Sequence, residues 1–295
     1  MVNGDKMSKS RGTFIQARTY LDVGLNPEAL RYYFATKSNG GVDDLDLNLE
    51  DFTARTNSDL VGKLVNIASR ASGFITKHFN GNLVSSIELF NRDRSTYSSA
   101  TEMAWDSDQS ILEAYKNGQF SFVIKQVMFI ADRANYLWDQ AKPWMMAKNI
   151  ENNEENKKTL QLICSDCLHA FYLCMIYLKP ILPELSKRTE RFFNEDSELT
   201  FADIRHTNLP ARINAYEHLF SRIDPKNIEA MIEASKDSLA PAEPAAPAKK
   251  VADKAAPTAT PSAEAASASP ANIGIEDFAK LDLRIGKVLE CEFVE

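Results

Sequence analysis

Between residues 49 and 78, apolar side chains return at helical intervals. Phe52, Leu60, Leu64, Ile67, Ala68, Ala71, Phe74 and Ile75 make one stripe, the signature of an amphipathic helix with one face in a core. Asn48 can cap this helix, with Glu50 and Asp51 in its first turn, and Asn80-Gly81 ends it near His78. Asn26-Pro27-Glu28 opens an earlier helix that runs to about Lys37 and stops at Ser38-Asn39-Gly40-Gly41. Asp108 to Lys116 predicts another, broken at Asn117-Gly118. Phe120 to Gln140 carries a strong stripe of Val123, Ile124, Val127, Ile130, Ala131, Ala134, Leu137 and Trp138. Pro143 interrupts that helix and begins a short turn holding Trp144. Lys158 to Leu178 is nearly all apolar, as expected of the central helix of a bundle. Pro180 and Pro183 punctuate it, and a short helix follows to about Phe193. Residues 194–224 read as mixed loop, and Pro225 to Lys236 as a last amphipathic helix with Ile228, Met231 and Ile232. Residues 1–13 read as a polar loop and Val42 to Leu49 as an extended connector. The expected fold is therefore mainly α, a helical bundle with short connections.

Composition changes this picture in one place. Of 33 residues from Leu239 to Ala271, 14 are Ala and 6 are Pro, and none is aromatic. Such a segment cannot bury enough apolar surface to offset its ordering entropy, so a disordered, semi-stiff tether is expected over 238–272. Beyond it, Phe278, Leu281, Leu283, Ile285, Val288 and Leu289 suggest a turn of helix leading into a strand, a piece too small to fold alone.

The 295 residues carry 34 Lys and Arg against 41 Asp and Glu, a net charge of −7. An acidic total argues against a general nucleic-acid coat but leaves room for local basic faces. Two exist: residues 1–37 sum to +3, and so do residues 52–80. The polar N-terminus has no apolar region of a signal peptide, and the run Ala170 to Leu178 is about half of what a bilayer needs. These features, with only four cysteines, suit a cytoplasmic protein with no membrane contact. Cys164 and Cys167 form C-x-x-C without a second pair. Together with Phe171, Cys174 and Leu178 they follow helical spacing and read as core, not as a metal site.

The chemistry is concentrated in Lys6-Met7-Ser8-Lys9-Ser10, extended by Arg11 and Gly12. These five residues match the KMSKS signature of class I aminoacyl-tRNA synthetases. Two cations on a flexible loop can close on phosphates as charge develops on a departing pyrophosphate. The bland alternative is a solvated basic loop.

With Ala29-Leu30-Arg31-Tyr32-Tyr33, Asp46 to Phe52, Asn66-Ile67-Ala68-Ser69-Arg70, Ala141-Lys142-Pro143-Trp144 and Tyr177-Leu178-Lys179-Pro180, the chain resembles the C-terminal part of the methionyl-tRNA synthetase family. The resemblance implies a methionine–tRNA ligase that charges tRNA(Met) through methionyl-adenylate. Its partners would be ATP with Mg2+, methionine and tRNA(Met). It implies a KMSKS loop and end of the catalytic core over 1–50, with Lys6 and Lys9 catalytic and Lys6, Ser8, Lys9 and Ser10 on the ATP phosphates. It implies an anticodon-binding bundle over 51–237, in which Asn66 and Arg70 read or clamp the anticodon and Trp144, presented by Pro143, stacks on a base. Residues 273–295 resemble the opening of an OB-type tRNA-binding module that supports homodimers in some members. Only the first strand is present, so no folded barrel is expected.

Gly62 departs from the family, where a polar residue is common one turn before Asn66. The nucleotide-binding half, with its HIGH tetrapeptide and zinc-bearing insertion, would lie upstream. The chain alone is therefore expected not to activate methionine. The competing readings are a stand-alone tRNA-binding helical module and a helical scaffold with no RNA role.

Overall fold

The computed structural model describes residues 1–8, 14–90, 99–205 and 209–237. Among them there is no strand, only the isolated bridges of Val2 with Asp5 and Leu47 and of Asn82 with Arg212. The tether and OB-type segment expected over 238–295, Cys291 included, lie outside the described residues.

The long helix expected from Leu49 exists, but it is not uniform. It runs as α3 (Leu49–Arg55), a π-helical stretch (Thr56–Val65) and α4 (Asn66–Phe79). The sequence gives the reason. Phe52, Thr56, Leu60, Leu64 and Ala68 recur at every fourth position and all are fully buried. In a straight α-helix each step of four overshoots a full turn by about 40°, so four steps would carry the last residue well off the buried face. The wider π turn takes up that drift. Asn48 caps α3 by accepting from the Asp51 N–H at 2.8 Å, and Asn80 ends α4 in the left-handed conformation.

Four further helices come next: α5 (Ser86–Phe90), α6 (Ala100–Asp106), α7 (Asp108–Lys116) and α8 (Phe120–Ala141). The turn α9 (Pro143–Met146) follows, then α10 (Glu154–Leu178), α11 (Pro183–Phe192) and α12 (Pro225–Asp237). Near the N-terminus, α1 (Ala17–Asp22) and α2 (Pro27–Lys37) precede α3. The sequence reading did not assign α1, α5 and α6. It also started α10 at Lys158, four residues late. Asn153 caps it by accepting from the Asn156 N–H, with Glu154 and Glu155 in the first turn.

Helix α10 is the centre, packing against α8, α4 and α6. Its length and composition would suit a bilayer, yet 83% of its most apolar window is buried inside the protein. The thiols of Cys167 and Cys174 point at the carbonyls of Ala134 and Val127. One number rises by seven as the other falls by seven, so α10 runs antiparallel to α8. Cys164, Cys167 and Cys174 are free and fully buried, and burial pushes all three thiols far up from their ordinary pKa, as core residues require.

The core also holds two carboxylates that cap helices other than their own. Asp166 accepts from the Ala100 and Thr101 N–H groups and the Ser99 hydroxyl, closing the start of α6. Glu28 accepts from the N–H groups of Glu184 (2.6 Å) and Leu185 (3.0 Å), closing the start of α11.

Candidate functional site

The signature loop is anchored before it begins. Val2 and Asp5 exchange backbone bonds in a tight turn with Asn3 and Gly4 at positive φ. Asn3 N–H donates to Leu47 O, Leu47 N–H to Met1 O, and Gly4 N–H to the Asp46 carboxylate at 2.9 Å. The Asn3 side chain accepts from the Leu49 N–H at 2.9 Å, which is the first residue of α3. Lys6 then stands exposed and Ser8 half-buried. Lys9 and Ser10, with Arg11 and Gly12, lie outside the described residues. Beside the loop is an apolar depression of about 430 Å³, walled by Met7, Ile15, Tyr20, Leu30 and Phe34.

The second group is built where α4 meets α8. Lys63 pairs with Asp132 at 2.9 Å, and Arg70 faces Asp139 at 3.5 Å. Both partners advance by seven, so the two helices run parallel here, and Arg70 lies beside the C-terminal end of α8. Asn66 lies one turn before Arg70 on this helix and is half-buried. The Arg70 guanidinium donates to Asn135 and lies over the Trp138 ring, 5.3 Å from its centre. Asn135 in turn donates to the carbonyls of Lys63 and Ala131. Phe74 meets Trp138 edge-on at 5.7 Å and stacks with His78. Arg70 is thus held flat by α8 rather than free in solvent, while its buried Nε has no hydrogen-bond partner.

Helix α8 ends two residues after Asp139. Lys142 leaves it in the left-handed conformation (φ 48°), uncommon for a non-glycine residue. Pro143, buried, opens the next turn, so the chain reverses and Trp144 stands 45% exposed. Trp144 therefore follows the helix end at which Arg70 is held. Gly62, in the π stretch, is exposed, and an added Cβ would meet only the Asn57 carbonyl at 3.4 Å.

The sequence pointed to Asn66, Arg70, Pro143 and Trp144 as site residues, placed Trp138 only in the apolar stripe, and gave no role to Asn135, Asp132 or Asp139; these four hold Arg70 and Lys63. A readable signal was present: the seven-residue step from Lys63 to Arg70 equals that from Asp132 to Asp139. Among the described residues, no group of His, Cys, Asp and Glu could hold a metal ion. A cavity of about 530 Å³ lined by Arg188, Arg191, Glu195 and His218 contains none of the predicted residues.

A family model described as tRNA synthetases class I (M) matches residues 1–72, the segment that holds the signature loop. Over its whole length the chain is 50% identical to the methionine–tRNA ligase of Xanthomonas campestris pv. campestris (strain B100) and 51% identical to that of Stenotrophomonas maltophilia (strain R551-3). The chain spans 41% of the length of each of these relatives. The fold resembles Mycobacterium tuberculosis methionyl-tRNA synthetase solved in complex with methionyl-adenylate. The TM-score is 0.62 at 18% identity, covering 74% of this chain and 42% of that one.

Proposed function

We propose that the chain is the KMSKS-to-bundle portion of a methionine–tRNA ligase and that its bundle binds the methionine anticodon. The observation that carries this reading is the first part of α4, which lies beside the C-terminal end of α8. There Asn66 and Arg70 lie on one helix, Arg70 is pre-oriented by Asn135 and Trp138, and Trp144 is exposed on the Pro143 turn just beyond. A base splayed from a loop gains about 1–3 kcal/mol by stacking on such a ring. An arginine already held flat loses less entropy when it meets a base or phosphate.

In this reading residues 1–50 close the catalytic core, and 51–237 bind the anticodon. Residues 238–272 tether an OB-type segment over 273–295, which in complete form would support a homodimer. Lys6 and Lys9, with Ser8 and Ser10, would meet the phosphates of ATP as it enters with Mg2+. Two ammonium groups there offset the charge that grows on departing pyrophosphate. Any zinc would belong to a segment upstream of Lys6. The chain alone, lacking a nucleotide-binding half, would not activate methionine, and the protein would work in the cytoplasm.

The test is fluorescence titration with an RNA hairpin carrying the methionine anticodon. Trp144 emission should quench, and the change should vanish in Trp144→Phe and with an altered anticodon. Equal quenching by both hairpins would refute the assignment. A second measurement is methionine-dependent ATP–pyrophosphate exchange by residues 1–295 alone, which should be absent.

A further inference from the structure

Helix α8 carries a second feature on the face opposite its buried one. Phe122, Phe129 and Tyr136 are spaced by seven residues and are 37%, 60% and 53% exposed. A step of seven falls only about 20° short of two turns, so the three rings form one outward row roughly 20 Å long. Residues at the same angle between them are polar and uncharged or basic: Gln126, Arg133 and Gln140, with Lys125 at the edge. The Arg133 guanidinium lies over the Tyr136 ring at 5.3 Å. The carboxylates nearest the row, Asp132 and Asp139, are turned to Lys63 and Arg70 of the neighbouring helix. Their charge is offset, and the row is left with the cations. Beyond the end of α8, Trp144 and Met145 are also exposed.

We propose that this row is a binding surface for single-stranded RNA. Unpaired bases would stack on Phe129 and Tyr136, with Lys125 and Arg133 taking the phosphates. A coiled-coil seam would need apolar residues between the rings, and those positions hold Gln126 and Arg133 instead. Rings interleaved with cations suit stacked bases and a phosphate backbone. The row lies on the helix that leads to Trp144, so its link to the proposed anticodon site rests on that reading.

The experiment is fluorescence anisotropy of the chain with two labelled RNAs at low salt: an unstructured oligonucleotide and the methionine-anticodon hairpin. The double substitution Phe129→Ala and Tyr136→Ala removes exposed rings and keeps helix propensity, and circular dichroism verifies the fold. It should weaken the oligonucleotide by about tenfold or more. Arg133→Gln should lower the slope of log affinity against log salt by roughly one phosphate contact. If the double variant binds the oligonucleotide like the parent, the proposal is overturned. The anticodon reading still stands if Trp144→Ala weakens the hairpin. If the double variant weakens the oligonucleotide and Trp144→Ala leaves the hairpin unchanged, the row stands and the anticodon site falls. Sedimentation equilibrium gives the remaining outcome: a dimer that the double variant dissociates would assign the row to a second copy of the chain and overturn the RNA proposal.

Discussion

Glu28 connects the segment that carries the signature loop to the far side of the bundle. Its carboxylate receives the Glu184 and Leu185 N–H groups at the start of α11, where Pro183 supplies no N–H of its own. One turn later Arg31 donates to the carbonyls of Ile181 and Pro180, both at 2.8 Å. Helix α2 therefore grips both sides of one elbow, donating to its carbonyls and accepting from its amides. Burial raises the Glu28 carboxyl above its ordinary pKa, and the two N–H bonds oppose that. In Glu28→Ala two bonds to a charged group disappear, each worth about 2 kcal/mol, and a buried N–H loses its only acceptor. Relief of the buried charge returns part of this, leaving a net loss of about 3 kcal/mol. Glu28→Gln keeps one acceptor oxygen and should lose about half as much. For a domain of this size, 3 kcal/mol lowers Tm by roughly 6–12 °C. Thermal unfolding followed by circular dichroism gives the ranking parent, Gln, Ala. A Glu28→Ala protein melting within about 2 °C of the parent, or Gln as damaging as Ala, would refute the reasoning.

Three further outcomes follow from the same structure. His169 is fully buried, its Nε2–H donates to the Pro210 carbonyl at 3.0 Å, and burial drops its pKa to about 4. The unfolded chain takes up that proton near pH 6.5, before the folded one does. Stability held above pH 6.5 should fall by about 3 kcal/mol as pH drops toward 4, and urea unfolding of His169→Gln should show a shallower slope over that window. Asn3→Ala removes the acceptor for the Leu49 N–H, at a cost of about 1 kcal/mol. Exchange of the Leu49 amide measured by NMR should quicken about fivefold, and unchanged exchange would dismiss the tie. Arg70→Ala should cost only about 1 kcal/mol in thermal unfolding, because Asp139 is well exposed, yet it should weaken the anticodon hairpin clearly. Loss of stability without loss of hairpin affinity would make Arg70 a purely structural residue.

The long helices were legible because periodicity needs only the chain itself. The stripe of α8 and the caps Asn26 and Asn48 stand where the sequence puts them. The elements missed were those held by distant partners. Helix α1 has no side-chain cap, and α5 spans five residues. The start of α6 depends on Asp166, which lies more than sixty residues away. One local sign was readable even there: Ser99-Ala100-Thr101-Glu102 has the capping-box spacing, and Ser99 does accept from the Glu102 N–H. The π stretch was hidden because a stripe counted at helical spacing tolerates steps of three and four alike. Only the unbroken run of fours from Phe52 to Ala68 betrays the wider turn. At the candidate site, residue identities were readable and their restraint was not. Arg70 looks free on a helical wheel, whereas Asn135 and Trp138 hold it from another helix.

The base of the signature loop and Arg70 lie on one hydrogen-bonded, helical path. Asn3 ties the base of the signature loop to the first residue of α3, and Asp46 holds Gly4 just before that helix. From Leu49 the chain continues helically through the π stretch to Asn66 and Arg70. The π stretch is the soft point of that rod, because its wide turns trade hydrogen-bond quality for register. It is flanked by restraints on both faces: Asn57 exchanges hydrogen bonds with the Ile223 backbone, and Lys63 pairs with Asp132. A displacement at Arg70 can reach Leu49 only by sliding the buried row of Thr56, Leu60 and Leu64, which close packing resists. Close packing of that row therefore fixes the register between Leu49 and Arg70, and the π stretch sets the angle between them.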